Sequence, residues 1–356
     1  MRPVLILLIT IPAICAAQSL RENADRLGIL VGAAVNPARF KEPEYSATLA
    51  REFNMVEPEN VMKWAAIRPN RESFNFEPGD EVVRFAKAHK MKVRGHCLLW
   101  SEYNPAWLRH GNFTPEQLSD MLREHITTVM RHFAGEVFAW DVVNESFEAD
   151  GDIEQSIWYD APGIGLKEKG TAYIEQAFRW ARAADPKALL FYNDYDAEGL
   201  NAKSNAIYAM VKDFKKRGVP IDGVGLQMHI SNLTIEDLAS LDANIKRLTD
   251  LGLQVQITEM DVALAIDSQG IPLNEADLTK QANIYRYVAD SCLQNRKCTA
   301  LQAWGFTDKY SWVPGFTKGA KGSALLFNKS YERKPAYDAW LDVFQQHARR
   351  KPPGRD

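Results

Sequence analysis

Residues 114–145 read TPEQLSDMLREHITTVMRHFAGEVFAWDVVNE, and two periodicities meet within them. Thr114 stands where an N-cap belongs, Pro115 takes the first helical position, and Leu118, Met121, Leu122, His125 and Val129 recur on one helical face. The spacing predicts a covering helix over Pro115 to His132. Beyond it, Val137 to Val143 is a short apolar run of strand composition that leads into Asn144 and Glu145. A helix with one apolar stripe, followed by a buried strand, is the repeating unit of an α/β fold.

The same unit recurs along the chain. Ile29 to Val35, Phe53 to Glu57, Lys92 to Leu99 and Val137 to Val143 predict strands one to four. Leu189 to Asn193, Gly223 to His229, Leu253 to Thr258 and Ala300 to Phe306 predict strands five to eight. Amphipathic stretches at Lys169 to Ala184, Ala202 to Arg217, Glu236 to Leu251, Glu275 to Cys292 and Pro335 to Gln346 lie between and after them. Strand then helix, repeated in this way, predicts a closed (β/α)8 TIM barrel as one domain over residues 18–348. The segment before it reads differently. Arg2, the apolar run Val4 to Ile14 and the small residues Ala16 and Ala17 form a secretory signal over residues 1–17, too short to span a bilayer, which takes about 20 apolar residues. A lipoprotein reading through Cys15 is disfavoured by Ile14 directly before it. The expectation is a secreted monomer, extracellular or periplasmic in a Gram-negative source, with no membrane attachment after cleavage. Residues 349–356 are basic and proline-containing, and are expected to fray as a flexible tail.

The chain carries 43 Lys and Arg against 46 Asp and Glu, a net charge of -3, without the basic footprint of a nucleic-acid binder. A neutral partner suits it better, and several of its 9 Trp and 12 Tyr stand beside polar motifs, where sugar rings stack. Cys292 and Cys298 lie close enough in sequence to predict a local disulfide in an exported protein, whereas Cys97, in an apolar strand, reads as a buried free thiol. No spacing suggests a zinc site or a phosphate loop, so neither a metal nor a cofactor is expected.

In such barrels the chemistry gathers at the C-terminal ends of the strands. Strand four ends at Asn144 and Glu145, and strand seven leads through Thr258 to Glu259, so two carboxylates reach one mouth. Retaining glycosidases place such a pair about 5–5.5 Å apart, one as proton donor and one as nucleophile. Glu145 reads as the acid/base, its acidity weakened by the neighbouring negative glutamate, and Glu259 as the ionised nucleophile. Alternation puts Gln227 and His229 on one face of strand six, pointing into the same mouth. Trp304 and Trp312, near the end of strand eight, stand where stacking platforms for a neutral sugar belong.

Seven ordered motifs sharpen this reading: Glu59 to Trp64, Gly95-His96 with Trp100, Trp140 to Glu145, Asn193-Asp194-Tyr195, Gly225 to His229, Thr258 to Asp261, and Trp304-Gly305-Phe306. With them the sequence resembles the endo-β-1,4-xylanases of glycoside hydrolase family ten, from about strand one to the last helix. The resemblance implies Glu145 as acid/base and Glu259 as nucleophile, with xylan or xylo-oligosaccharides as substrate. It implies Lys63, His96, Asn144, Gln227 and His229 around the sugar on the non-reducing side of the cut, and Glu59, Asn60, Trp100, Trp304 and Trp312 around that sugar or the next. It also supports the Cys292 to Cys298 bond. One departure stands out: Ser101 follows Trp100 where the family usually has histidine, so the loop after strand three is expected to bind differently. The competing readings are a β-1,4-glycanase acting on cellulose, mannan or mixed-linkage glucan, and a catalytically silent sugar-binding barrel.

Overall fold

Eight parallel strands close on themselves in the computed structural model, which describes residues 19–233 and 238–350. They are β1 (Leu30–Val35), β2 (Met55–Pro58), β3 (Lys92–Gly95), β4 (Val137–Asn144), β5 (Leu189–Asp194), β6 (Gly223–Leu226), β7 (Gln254–Val262) and β8 (Cys298–Ala303). Each pairs with its successor, and β8 returns to β1. The predicted signal at residues 1–17 lies outside the described residues, as does the tail beyond Arg350. The last helix, Pro335–Arg350, runs two residues into the segment expected to fray.

The helix Pro115–His132 forms over the predicted span, and its start is doubly fixed: Thr114 caps the Gln117 amide while Gln117 Oε1 accepts from the Thr114 amide. Its apolar stripe, Leu118, Leu122, Ile126 and Val129, is buried against the barrel. The predicted helix at Lys169 starts later, at Ala172, because Gly170 takes a positive φ of 57° between a short 3-10 turn and the helix. The predicted helix from Glu236 is described from Leu241 to Asp250. Cys292 and Cys298 are disulfide-bonded, and Cys97 is buried and free.

Three predicted strands stop short of their expected ends, β3, β6 and β8, the last at Ala303 rather than Phe306, and for β3 and β6 the stopping place matters for the site. β3 ends at Gly95, where a Cβ would stand 2.4 Å from the Trp140 ring. The chain then rejoins β4: the Leu98 and Leu99 amides donate to the Asp141 and Val142 carbonyls at 3.0 Å each, and the Asn144 amide donates to the Leu99 carbonyl at 2.9 Å. β6 ends at Leu226 because Met228 has a φ of 67°, and its amide turns away to Glu198 Oε1 at 2.8 Å.

Inside the barrel the strands meet through charge as well as apolar packing. Arg94 of β3 is fully buried, bonds Asp141 of β4 through both terminal nitrogens, and donates to Glu57 of β2 at 3.0 Å and to Gln256 of β7 at 3.0 Å. Gln302 of β8 donates to Glu57 at 2.9 Å and to the Thr258 carbonyl of β7 at 2.5 Å. Burial pushes the Glu57 carboxyl above its ordinary range, and Arg94 opposes it.

Removing one partner from a buried charge cluster strands the others, at a cost of about 3–5 kcal/mol. Arg94→Met is therefore expected to destabilise the barrel by that amount in chemical unfolding followed by tryptophan fluorescence. A loss under about 1 kcal/mol would mean that the apolar shell alone sets strand closure.

Candidate active site

Glu145 is the first residue past β4, and it sits in the left-handed region at φ 53°. A register shift between Asp141 and Val143 against β5 precedes it, and its own amide donates to the Asn193 carbonyl at 2.9 Å. Two neutral donors hold its carboxyl group: Trp100 Nε1 reaches Oε2 at 2.9 Å and Gln227 Nε2 reaches Oε1 at 2.7 Å. Ser101 leaves that anchoring intact, because the Trp100 carbonyl is held by Trp158 Nε1 at 2.9 Å and by Asn104 Nδ2 at 3.1 Å.

Glu259 lies within β7 and is only 4% exposed. Asn193 Nδ2 donates to its Oε1 at 2.7 Å, and His229 Nε2 stands 3.3 Å from its Oε2. Burial by itself would raise this carboxyl, but the His229 bond, with the positive character of His96, His229 and Lys63, holds it at about 2. His229 is in turn backed by Asp261, whose Oδ2 lies 2.9 Å from Nδ1. Burial disfavours the imidazolium, yet Asp261 and Glu259 outweigh it and hold His229 well above the ordinary histidine range. Trp312 Nε1 donates to the same Asp261 oxygen at 2.7 Å, which fixes the indole at the rim, where it remains 37% exposed.

A chain of amides joins the two carboxyl groups. Gln227 Nε2, bonded to Glu145, also lies 3.3 Å from Asn144 Oδ1; Asn193 Nδ2 spans Asn144 Oδ1 at 2.8 Å and Glu259 Oε1. Thr258 Oγ1 donates to Asn193 Oδ1 at 2.7 Å and so settles which way that amide faces. Gly225 makes the room, since a Cβ there would stand 2.2 Å from Asn193 Oδ1. Gln227 and His229 do both reach the site, but not by strand alternation: the left-handed Met228 between them interrupts β6 and turns His229 onto β7, opposite Asp261.

The predicted residues come together in one cleft of about 620 Å³, lined by Glu145 and Glu259, by Glu59, Asn60 and Lys63, by His96, Gln227 and His229, and by Trp100, Trp304 and Trp312. Asn144 lies just beneath, 1% exposed, with its Nδ2 lacking a partner among the described residues. Lys63 is not a solvated surface charge. It is buried, donates to Asn60 Oδ1 at 3.0 Å, and stands 4.8 Å from the Trp100 ring and 5.6 Å from the Trp304 ring. Burial raises Glu59 to about 7 against the pull of Lys63 and Arg39. Glu57, His96 and Asp141 offer ligand atoms within 4.8 Å of one another, but Arg94 bonds both carboxylates and fills the place of a cation.

Sequence reading did not assign a role to Asn193 or Asp261, although both stand in the motifs it used. Nor did it mark Phe316 or Lys321, which also line the cleft. Motif position was the available signal for the first two. Phe316 ends a four-residue helix and Lys321 opens a two-residue strand in the segment after β8, both too short for periodicity to mark a facing.

A family model described as glycosyl hydrolase family 10 matches residues 19–343. The chain is similar to endo-1,4-beta-xylanase B of Thermotoga neapolitana, with 44% identity over 333 residues that cover 92% of each chain. The crystal structure of native xylanase 10B from Thermotoga maritima superposes with a TM-score of 0.86 at 44% identity, covering 94% of this chain and 100% of that one. Xylanase 10B of Thermotoga petrophila, solved in complex with xylobiose, also gives a TM-score of 0.86 at 44% identity, with coverage of 93% and 98%.

His229→Ala removes the leading influence that lowers Glu259. A charged hydrogen bond of about 1.5–3 kcal/mol corresponds to about 1–2 pH units, so the Glu259 titration is expected to move up from its depressed position by that much. Carbon NMR of δ-labelled glutamate reads this directly, and an unmoved Glu259 resonance would remove His229 from that role. The sign for stability follows: a native value near 2 against an ordinary 4.5 contributes stability above 4.5, and that contribution is lost as pH falls through 2.

Proposed function

The chain belongs to glycosyl hydrolase family 10, and from that premise we propose that it is a retaining endo-β-1,4-xylanase in which Glu259 attacks the anomeric carbon and Glu145 exchanges the proton. The observation that carries the reading is the unequal environment of two carboxyl groups in one cleft. Glu259 is held anionic at about 2 beside His229, whereas Glu145 is held by the neutral donors Trp100 and Gln227. A buried anion and a carboxyl with neutral partners divide the work as a nucleophile and a proton carrier must.

In the first step the Glu259 carboxylate forms a bond to the anomeric carbon as the glycosidic bond breaks, and the Glu145 proton passes to the departing oxygen. In the second, Glu145 takes a proton from water, which displaces Glu259 and returns the sugar with its configuration retained. The unpartnered Asn144 Nδ2 is suited to bond the 2-hydroxyl of the sugar, a contact that strengthens as positive charge develops on the ring. Trp304 and Trp312 both line the cleft, and an indole set against the C5 position of the bound sugar would exclude the hydroxymethyl group of glucose, which favours xylose by clash rather than by added attraction. The substrate assignment is supported by the xylobiose-bound Thermotoga petrophila relative. Residues 1–17 and the Cys292 to Cys298 bond suit a chain exported to an oxidising compartment, where it works as a monomer on soluble xylan or xylo-oligosaccharides.

Reducing-sugar release from xylan is expected to exceed that from carboxymethyl cellulose, and proton NMR of the first product should show the β-anomer. Glu145→Ala is expected to lower kcat on xylan by about 10²–10⁴-fold, and Glu259→Ala by at least as much. Faster release from the cellulose derivative would redirect the substrate assignment. Wild-type release no higher than that of Glu259→Ala would leave a silent sugar-binding barrel.

A further inference from the structure

Glu145 occupies a backbone conformation that a residue with a side chain adopts at a cost, so something around it must hold it there. Its own amide is bound to Asn193 on one side. On the other, the next amide, that of Ser146, donates to the Tyr192 hydroxyl at 3.0 Å, a side chain to backbone bond across 46 residues. The Tyr192 hydroxyl donates onward to Asp194 Oδ2 at 2.5 Å, and Asp194 Oδ1 pairs with Lys203 Nζ at 2.7 Å. All three side chains are buried, and none of them lines the cleft.

We propose that Tyr192, Asp194 and Lys203 form a positioning relay that fixes the peptide following Glu145 and thereby holds its carboxyl group in line with the leaving oxygen. This inference rests on the reading of Glu145 as proton donor. No proton needs to travel along the relay. A phenol can both accept from the Ser146 amide and donate to Asp194, and Asp194 accepts only while it keeps its charge or turns its free oxygen to the phenol. Lys203 supplies that charge balance, because burial raises Asp194 to about 7 even with Lys203 and Tyr192 pulling it down. The same carboxylate also sets Tyr195, whose amide donates to Asp194 Oδ1 at 2.9 Å and whose ring lies 3.5 Å from Lys203 Nζ. Tyr195 lines the cleft and is 39% exposed. One buried ion pair thus anchors two cleft positions from below, the proton donor and an aromatic face. Phenylalanine at 192 would keep the packing against Phe147 and lose both hydrogen bonds.

The experiment compares kcat/KM on two substrates that differ in their need for a proton. Xylotetraose has a sugar leaving group that must be protonated; 2,4-dinitrophenyl β-xylobioside has one that departs without help. Tyr192→Phe is expected to lower kcat/KM on xylotetraose by about 10- to 100-fold while changing the aryl xylobioside by less than about threefold, in keeping with the cost of misplacing a catalytic group. Lys203→Met, which retains the phenol, is expected to give the same split in weaker form and serves if Tyr192→Phe does not fold by near-ultraviolet circular dichroism. Equal losses on both substrates, or no loss on either, would overturn the relay. Glu145→Ala is the reference. If it shows the split and the relay variants do not, the relay alone falls; if it shows none, the assignment of Glu145 as proton donor falls with it.

Discussion

One guanidinium inside the barrel sets the terms for the rest of the molecule. Arg94 reaches Glu57, Asp141 and Gln256, so a single side chain on β3 ties β2, β4 and β7. Two carboxylates and a cation in a space closed to water are stable only as a set, since each is costly to bury without the others. Closure of the barrel and neutralisation of its interior are therefore one event. Gln302 extends the set to β8 by donating to Glu57 Oε2, the same oxygen that Arg94 holds.

The cleft stands on that polar layer. Asp141 bonds Arg94 and also faces His96 Nδ1 at 2.9 Å, which turns the imidazole so that its other nitrogen serves the cleft that His96 lines. Trp304 lies edge-on to both His96 and His229, at 5.3 and 6.3 Å between ring centres, so the floor of the cleft is fixed from two sides. Above it, the Asn193 amide spans Asn144 and Glu259, and Gln227 spans Asn144 and Glu145. The two glutamates thus keep different company within a shared hydrogen-bond network. One is stripped of its proton by a histidine that Asp261 holds positive; the other rests on neutral donors. That asymmetry, rather than the presence of two carboxylates, is what supports the proposed division of labour.

The barrel and the pair Glu145 and Glu259 were legible in the sequence because both depend on local pattern. Strand and helix periods alternate along the chain, and the ends of strands four and seven carry their glutamates openly. Gln227 and His229 do line the cleft, but the premise that led there fails: the left-handed Met228 breaks the alternation, and pairing with β7 brings His229 to Glu259. Glycine at 225 could be seen, but its purpose could not, since the group it spares is Asn193 on the neighbouring strand. The Tyr192 to Ser146 bond was invisible for the same reason, joining residues 46 positions apart through a phenol that sequence alone reads as core.

By itself the sequence determined the barrel, the covering helices, the disulfide partners and the positions that can carry chemistry, because these follow from periods of two and 3.6 residues and from motifs a few positions long. The tertiary structure decided which of those groups are charged and which way they point. Glu57 meets Gln302 across 245 positions, and Arg94 meets Gln256 across 162. Contacts at such separations exist only once the barrel has closed, and the protonation of Glu259 depends on them, because burial and neighbouring charge are properties of the closed space and not of the chain.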